Sequence, residues 1–547
     1  MLIPGSRLAE LAGSCPDVLI VGAGPAGITL ACELDGSPLT VWLLEAGGER
    51  QDGDLQEVYE GAANPPHAAT TEYRRIGLGG TSSIWGGRCV PYDPIDFAAR
   101  PYVPGSGWPI SHAEVAQYYP QALAYCDAGV CDFAARTAID AAPETIAGFD
   151  GQGVVETDVI ERYSLPTDFG RRHGARLKAS ANVTVVTGAR CIALNRDGDG
   201  GIASLAVVAT ADNTRHALRA RRVVLATGGV EVARLLLASD PDGPGIGNSH
   251  GHVGRWYQCH FENNYGRLVP NGAATQFHFE RSRDGVYCRR KFLFTAEAQA
   301  RHGLLNTAFR LHFPDYSDAR HGSSVMSAIF LAKSFLIREY RTILQHNVNV
   351  TFAGSRWAHL RNVLTGLPSL AGFAWTILTR RLLATRKLPY TLVPNADGSY
   401  PIEFNCEQTP QADSRVSLLP DARDRHGMPK VRIDWKLAEA DIDAACRAFR
   451  LFAYTVAAGS RARLEYDADG LRARMASSVP LGGHHIGTAR MAAQPADGVV
   501  DRDCTVFGCP NLSIASSAVF PTSSHANPTL TIVAMAIRLA AHLKRGD

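Results

Sequence analysis

A histidine in Gly482-Gly483-His484-His485-Ile486-Gly487-Thr488-Ala489-Arg490-Met491 and an asparagine in His525-Ala526-Asn527-Pro528-Thr529 are the side chains best suited to chemistry in this sequence. A free imidazole titrates at about 6.5, so it can be neutral and basic at cellular pH, and a positioned base contributes about 10²–10⁴-fold to a proton transfer. Asn527 can hydrogen-bond the same hydroxyl. Together with a glycine-rich turn at the other end of the chain, the pair suits oxidation of an alcohol by a flavin. Each residue also has a plainer fate. His484 can be a satisfied histidine in a tight glycine turn. Asn527-Pro528-Thr529 reads as a helix start, with Asn as N-cap and Pro at the first helical position. Capping and catalysis are compatible, because a helix from Thr529 to Leu543 would aim its positive end at an anionic reduced flavin.

The glycine turn follows Asp17-Val18-Leu19-Ile20-Val21, an apolar run of strand length. Gly22-Ala23-Gly24-Pro25-Ala26-Gly27 comes next, then the helix-like Ile28 to Leu34. Gly22 allows the turn, Gly24 lets the backbone approach a pyrophosphate, and Gly27 lets helix and strand pack closely. A second apolar run ends at Glu45, where a carboxylate can accept hydrogen bonds from a ribose diol. The turn itself does not choose between NAD and FAD, and an ordinary glycine turn with a solvated strand end is the alternative.

At 547 residues, 46% hydrophobic and 20% charged, the chain has room for two to four domains with an ample core. Its net charge of +2 and the lack of a basic, aromatic-studded tract argue against nucleic acid as a partner. Twelve cysteines without a CxxC, and without histidines at zinc-finger spacing, read as reduced thiols in a cytoplasmic protein that holds no structural metal. No export signal is visible at the amino terminus.

Tyr73 to Arg88 is too rich in glycine and serine for a regular element and reads as a loop whose backbone approaches something flat. Asn182 to Leu194 and His216 to Arg222 look like strands. Arg222 to Ala226 is a buried strand ending in glycines and followed by a helix from Val230 to Ala238. Leu512 to Ala515 repeats that logic before the final helix. Thr275 to Glu280, Gly285 to Phe294 and Thr307 to Phe313 alternate as an antiparallel sheet with one wet face. The expected organisation is a discontinuous nucleotide domain from residues 15–95, 178–255 and 480–547. A second domain comes from 96–177 and 256–479, with a basic, apolar insert at about 322–395. From Tyr340 to Ala396 there is no acidic residue, while Arg341, Arg356, Arg361, Arg380, Arg381, Arg386 and Lys387 surround the apolar Val363 to Leu378. That segment is too short to span a bilayer. It could lie on an anionic membrane or dock a partner subunit. The alternative, favoured by its Pro and Gly interruptions, is a helical insert packed on the protein's own surface.

These motifs resemble the glucose-methanol-choline (GMC) oxidoreductase family. The first turn resembles its FAD fingerprint, and Leu78 to Gly87 its flavin-facing loop. Ala226 to Leu236 resembles its middle signature, and Glu407-Gln408-Thr409-Pro410 with Asp413 to Val416 the approach to its carboxy-terminal block. The His-x-x-Gly-Thr-x-Arg-Met and Ala-Asn-Pro-Thr patterns are shared with the sugar-active branch that includes pyranose oxidase, fructose dehydrogenase and glucoside 3-dehydrogenase. The resemblance implies an α/β fold, with a Rossmann-like FAD-binding domain of GMC type and a second α+β substrate domain built on an antiparallel sheet. It implies FAD-dependent oxidation of a secondary alcohol of a sugar, glycoside or related polyol to a ketone, with electrons passed to oxygen or another acceptor. His484 falls on the base position, with His485 as nearest rival, and Asn527 on the partner position. Cofactor contacts fall on Gly22, Gly24, Pro25, Ala26, Gly27, Glu45, Gly79, Gly80, Thr81, Ser83, Trp85, Cys191, Ala226, Gly228, Ser516, Asn527, Pro528 and Thr529. Ile84 stands where pyranose oxidase carries a flavin-bonding histidine, which implies non-covalent FAD. Ser516 replaces an aspartate found in many members. A lyase that holds FAD without net redox turnover is the alternative on the same fold.

Overall fold

The computed structural model describes residues 1–165, 167–332, 355–480 and 483–546. A six-stranded sheet, every neighbour parallel, lies at its centre in the spatial order β1 (Leu2–Pro4), β4 (Val183–Thr187), β3 (Val41–Glu45), β2 (Val18–Val21), β5 (Arg222–Leu225) and β6 (Leu512–Ile514). β2 and β3 are buried along their whole length, as parallel strands covered on both faces must be, which is why they read as unbroken apolar runs. The helix Pro25–Leu34 leaves the carboxyl end of β2 with proline in its opening turn. The terminal helix, Thr529–Arg545, packs against it. The sheet starts ahead of residue 15, because Leu2–Pro4 pairs with β4.

A second, mainly antiparallel sheet has the path Arg463–Glu465, Phe261–Val269, Tyr400–Cys406, Thr307–Leu311, Tyr287–Phe294, Val155–Tyr163 and Arg88–Cys89. Arg88–Cys89 belongs to it, so the crossing from the first sheet falls before residue 96. The expected wet face is absent from the strands Tyr287–Phe294 and Thr307–Leu311. All eight residues of Tyr287–Phe294 are buried, Arg289, Arg290 and Lys291 included. One cover is the helix Glu439–Gly459, whose Phe452 stacks on Phe309 at 4.2 Å. The alternating charged residues meet carboxylates instead of water. Arg310 pairs with Glu161 at 2.6 Å, Arg289 with Glu403 at 3.1 Å, and His312 with the same Glu403 at 3.0 Å. Buried charges persist only when paired in this way. Thr275 to Glu280, expected as a strand, contributes only an isolated bridge at Thr275 and the short pair Glu280–Arg281.

In the insert, Arg356–Thr365 and Leu367–Ile377 are helices separated at Gly366. Arg341 and the rest of residues 340–354 lie outside the described residues, as does Gly482. No helix among the described residues is long and apolar enough to cross a membrane.

Candidate active site

The carboxyl ends of β2, β3 and β5 open onto a groove, the usual ligand position on such a sheet. Of the cofactor residues expected from sequence, Gly22, Gly24, Pro25, Ala26, Glu45, Gly80, Thr81, Trp85, Cys191, Ala226, Gly228, Ser516, Pro528 and Thr529 line it. Gly27, Gly79, Ser83 and Asn527 do not. A Cβ on Gly27 would stand 1.9 Å from the Gly22 carbonyl oxygen, so this glycine serves the helix–strand contact. A Cβ on Gly79 would meet the Asp168 carboxylate at 2.6 Å, so its role too is close packing. Ser83 Oγ donates to the Gly80 carbonyl at 2.8 Å and takes a bond from Gln51. Gly24, by contrast, has open space on its Cβ side, which is the room a pyrophosphate needs.

Glu45 is buried beneath the turn. Its Oε2 accepts from Ala23 N at 3.0 Å, and its Oε1 from Gly47 N and Gly77 N at 3.0 and 2.9 Å. Burial pushes its pKa up against these bonds, and Oε2 keeps capacity for one more donor. Ser516 Oγ accepts from Ala518 N at 3.2 Å and shapes the turn before the terminal helix. Tyr59, Arg74 and His485 also line the groove, unanticipated as cofactor contacts. Arg74 sits 3.8 Å over the Tyr59 ring and pairs with Glu231. Three lining residues carry a buried polar atom without a hydrogen-bond partner: Thr227 Oγ1, His485 Nε2 and Arg190 Nη2, the last ion-paired with Asp424. An open glycine cradle, a buried acid and waiting polar atoms fit an extended dinucleotide.

His484 and Asn527, 43 residues apart, come together: Asn527 Nδ2 lies 3.0 Å from His484 Nε2. The helix therefore begins without Asn527. Its first turn follows Pro528, no side chain caps it, and Asn527 is committed to the histidine instead. On the far side His484 Nδ1 is 3.1 Å from His260 Nδ1, and His260 Nε2 is 2.9 Å from the Ser523 carbonyl. A carbonyl only accepts, so His260 carries its proton on Nε2 and accepts at Nδ1. His484 must then donate from Nδ1, leaving its Nε2 lone pair turned to the Asn527 amide. Burial, then the neighbouring His260 and Arg88, hold the His484 pKa well below the ordinary histidine range, and burial takes His260 to about 3. Asn527 Oδ1 is buried without a partner.

The positioning is done by strand register. Ile486 exchanges backbone hydrogen bonds with Gln258, at 2.9 and 3.1 Å. Counting outward from that antiparallel bridge puts 484 opposite 260 and 485 opposite 259. Gly487 (φ +87°) is required at the turn, since a Cβ there would lie 2.3 Å from the Trp256 carbonyl oxygen. Of the aromatic pocket candidates, Phe261 packs edge-on to Phe404 in the core, and Trp256 lies under Arg490.

His485 has a different environment. His67 Nδ1 donates to the Ala68 carbonyl at 2.8 Å, so its Nε2 takes the Tyr257 hydroxyl proton, also at 2.8 Å. The Tyr257 oxygen then accepts from His485 Nδ1 at 2.7 Å and Cys259 Sγ at 3.2 Å. His67, Cys259 and His485 have metal-type ligand atoms within 4.8 Å of one another. The Tyr257 hydroxyl, bonded to each of the three, fills the space between them.

Residues 410–536 match the GMC oxidoreductase family. Over 97% of its length the chain is 24% identical to 95% of 2-methyl-1,2-propanediol dehydrogenase from Mycolicibacterium austroafricanum. It is 32% identical to C-glycoside 3-oxidase from Microbacterium trichothecenolyticum over 33% of this chain and 36% of that one. Pyridoxine 4-oxidase from Mesorbium loti shares the fold, with a TM-score of 0.53 at 18% identity over 97% of this chain and 99% of that one. The chain carries a GMC oxidoreductase domain at residues 410–536. It is an oxidoreductase, and GMC oxidoreductases bind FAD.

Proposed function

We propose that this protein oxidises a secondary alcohol of a sugar, glycoside or related polyol to a ketone, with His484 as base, Asn527 as its partner and FAD held without a covalent bond. The observation that carries the substrate class is a polar face on the antiparallel sheet, starting at His260. Register places Glu262 beside Asn405, and Asn264 beside Glu403 and Arg310. Period-two alternation puts all of them on the His260 side. Asn405 is fully buried, yet neither its Nδ2 nor its Oδ1 has a partner, and Asn264 Oδ1 is likewise unpaired. Unmet buried amides beside the base suit a ligand with several hydroxyl groups. The C-glycoside 3-oxidase relative is in keeping with this.

The substrate hydroxyl displaces the Asn527 amide from the His484 Nε2 lone pair, accepts a hydrogen bond from that amide in its place and gives its proton to Nε2, while the carbon loses a hydride. FAD held in the glycine cradle would supply the hydride acceptor, N5, and the route by which electrons reach oxygen or another acceptor. His484 neutrality is secured by burial, its tautomer by His260, and the resulting imidazolium charge stays beside the Asn527 amide. Ile84 has no nucleophilic atom, which supports a dissociable cofactor. Twelve unpaired cysteines suit the reducing cytoplasm.

The test is anaerobic mixing of the FAD-loaded protein with a panel of sugars, glycosides and simple alcohols. Bleaching of the flavin band by a polyol with ketone formation supports the reading. Bleaching only by apolar alcohols overturns the substrate class, and turnover without bleaching overturns the redox reading. Release of FAD on acid precipitation checks the non-covalent attachment.

A further inference from the structure

Twelve large hydrophobic side chains stand exposed among the described residues, and eight of them fall between Trp357 and Leu383. Such concentration on one short segment marks a contact surface, not scatter. The helix Arg356–Thr365 is pinned on one side: His359 bonds Ser327 Oγ and the Ser317 carbonyl, and Asn362 donates to the Ala319 carbonyl. Its other side carries Trp357, 79% exposed, and Leu364. The following helix, Leu367–Ile377, buries no residue at all, nor does the turn Leu378–Leu382 that continues it. Leu367, Trp375, Leu378 and Leu382 recur at helical spacing and form one exposed stripe, Trp375 at 66%. The second helix rests on Ser324–Ala332 along one half-buried face, Leu370, Phe373, Thr376 and Ile377, and leaves the opposite face uncovered.

We propose that this face lies on an anionic phospholipid membrane surface, with both tryptophans and the leucine stripe at the boundary between headgroups and acyl chains. Three observations favour lipid. From 355 to 396 there is no acidic residue, while Arg356, Arg361, Arg380 and Lys387 accompany the apolar stripe, together with Arg381, which also donates to the Leu388 and Pro389 carbonyls. A sixth cation, Arg386, turns inward to the Asp127 and Tyr163 carbonyls and ties the segment to the body. Helices of 10 and 11 residues broken at Gly366 and Pro368 cannot span but can lie flat, tryptophan side down and cations on phosphate. A second copy is the poorer partner, because two-fold pairing would set the same cations against one another without a carboxylate of the segment to answer them.

The experiment mixes the FAD-loaded full chain with phosphatidylcholine vesicles, with and without phosphatidylglycerol, and follows co-sedimentation and tryptophan quenching by brominated acyl chains. Binding to the anionic vesicles is expected, weakened by salt and by about fivefold for each charge removed in Arg380→Gln/Arg381→Gln. Trp357→Phe/Trp375→Phe should keep the partition but lose the bromolipid quenching, while Trp375→Gln/Leu378→Gln should lose the partition. An unchanged flavin spectrum certifies that each variant is folded. No partition onto anionic vesicles overturns the proposal. So does a dimer in solution that Trp375→Gln converts to monomer, which would assign the face to a second copy.

Discussion

Replacing His260 by leucine tests how the base is prepared. In the structure His484 Nδ1 donates to His260 Nδ1 at 3.1 Å, and this bond keeps the proton off Nε2, the atom 3.0 Å from Asn527. Leucine removes the acceptor and strands a buried donor, at about 1–3 kcal/mol. The imidazole can recover that only by turning or by moving its proton to Nε2, and either change disables the base. If the whole penalty appears in the barrier, flavin reduction slows by about 5- to 150-fold. Anaerobic stopped-flow absorbance gives the rate, and the same spectra give FAD occupancy, which should stay near the parent's. Glutamine can donate to the Ser523 carbonyl and accept from His484, so His260→Gln should recover most of the rate. Reduction at the parent rate by His260→Leu, or a glutamine variant no better than the leucine one, would refute the reasoning.

His484→Ala should slow flavin reduction by about 10²–10⁴-fold while FAD binding persists, measured by the same absorbance trace. In the parent, burial keeps His484 neutral, so the reduction rate should be flat from about pH 8 to 6 instead of halving at about 6.5, where an ordinary histidine titrates. Gly24→Ala, with open space around the new methyl, should leave the apoprotein melting temperature unchanged and weaken FAD about tenfold or more by displacing the pyrophosphate. Gly27→Ala should destabilise the fold itself, by about 1–3 kcal/mol of overpacking read as a lower melting temperature, because its methyl collides with the Gly22 carbonyl. Arg100 bonds both oxygens of the buried Glu407, at 2.7 and 2.6 Å. Arg100→Met should lose about 3–5 kcal/mol in urea unfolding, and a second change, Glu407→Leu, should restore much of it.

Local signals were readable from the residues alone. The strand, glycine turn and helix of the dinucleotide site occupy one short stretch, and each glycine's task followed from backbone geometry. In the structure Gly24 has open space around it and Gly27 packs against the Gly22 carbonyl. Relations between distant segments were not readable. His260 is opposite His484 only because Gln258 and Ile486 pair across 228 positions, and nothing near either histidine announces that register. The Tyr257 cluster depends on the same pairing. Asn527 was legible as a helix start and as a partner, and the structure commits its side chain to the histidine. Strands such as Tyr287–Phe294 misled for a physical reason. Arginine and lysine look like a solvent face until their carboxylate partners on neighbouring strands are known.

The parallel sheet joins residues 2–4 to residues 512–514, and Thr529–Arg545 packs on Pro25–Leu34. During synthesis, a nascent polypeptide therefore holds an open β5 edge until residues 512–514 emerge, and a bare apolar helix face until residues 529–545 follow. Truncation ahead of residue 512 would leave that edge available for aggregation. Quality control then rests on the tail, since the same late stretch that closes the sheet also delivers Asn527.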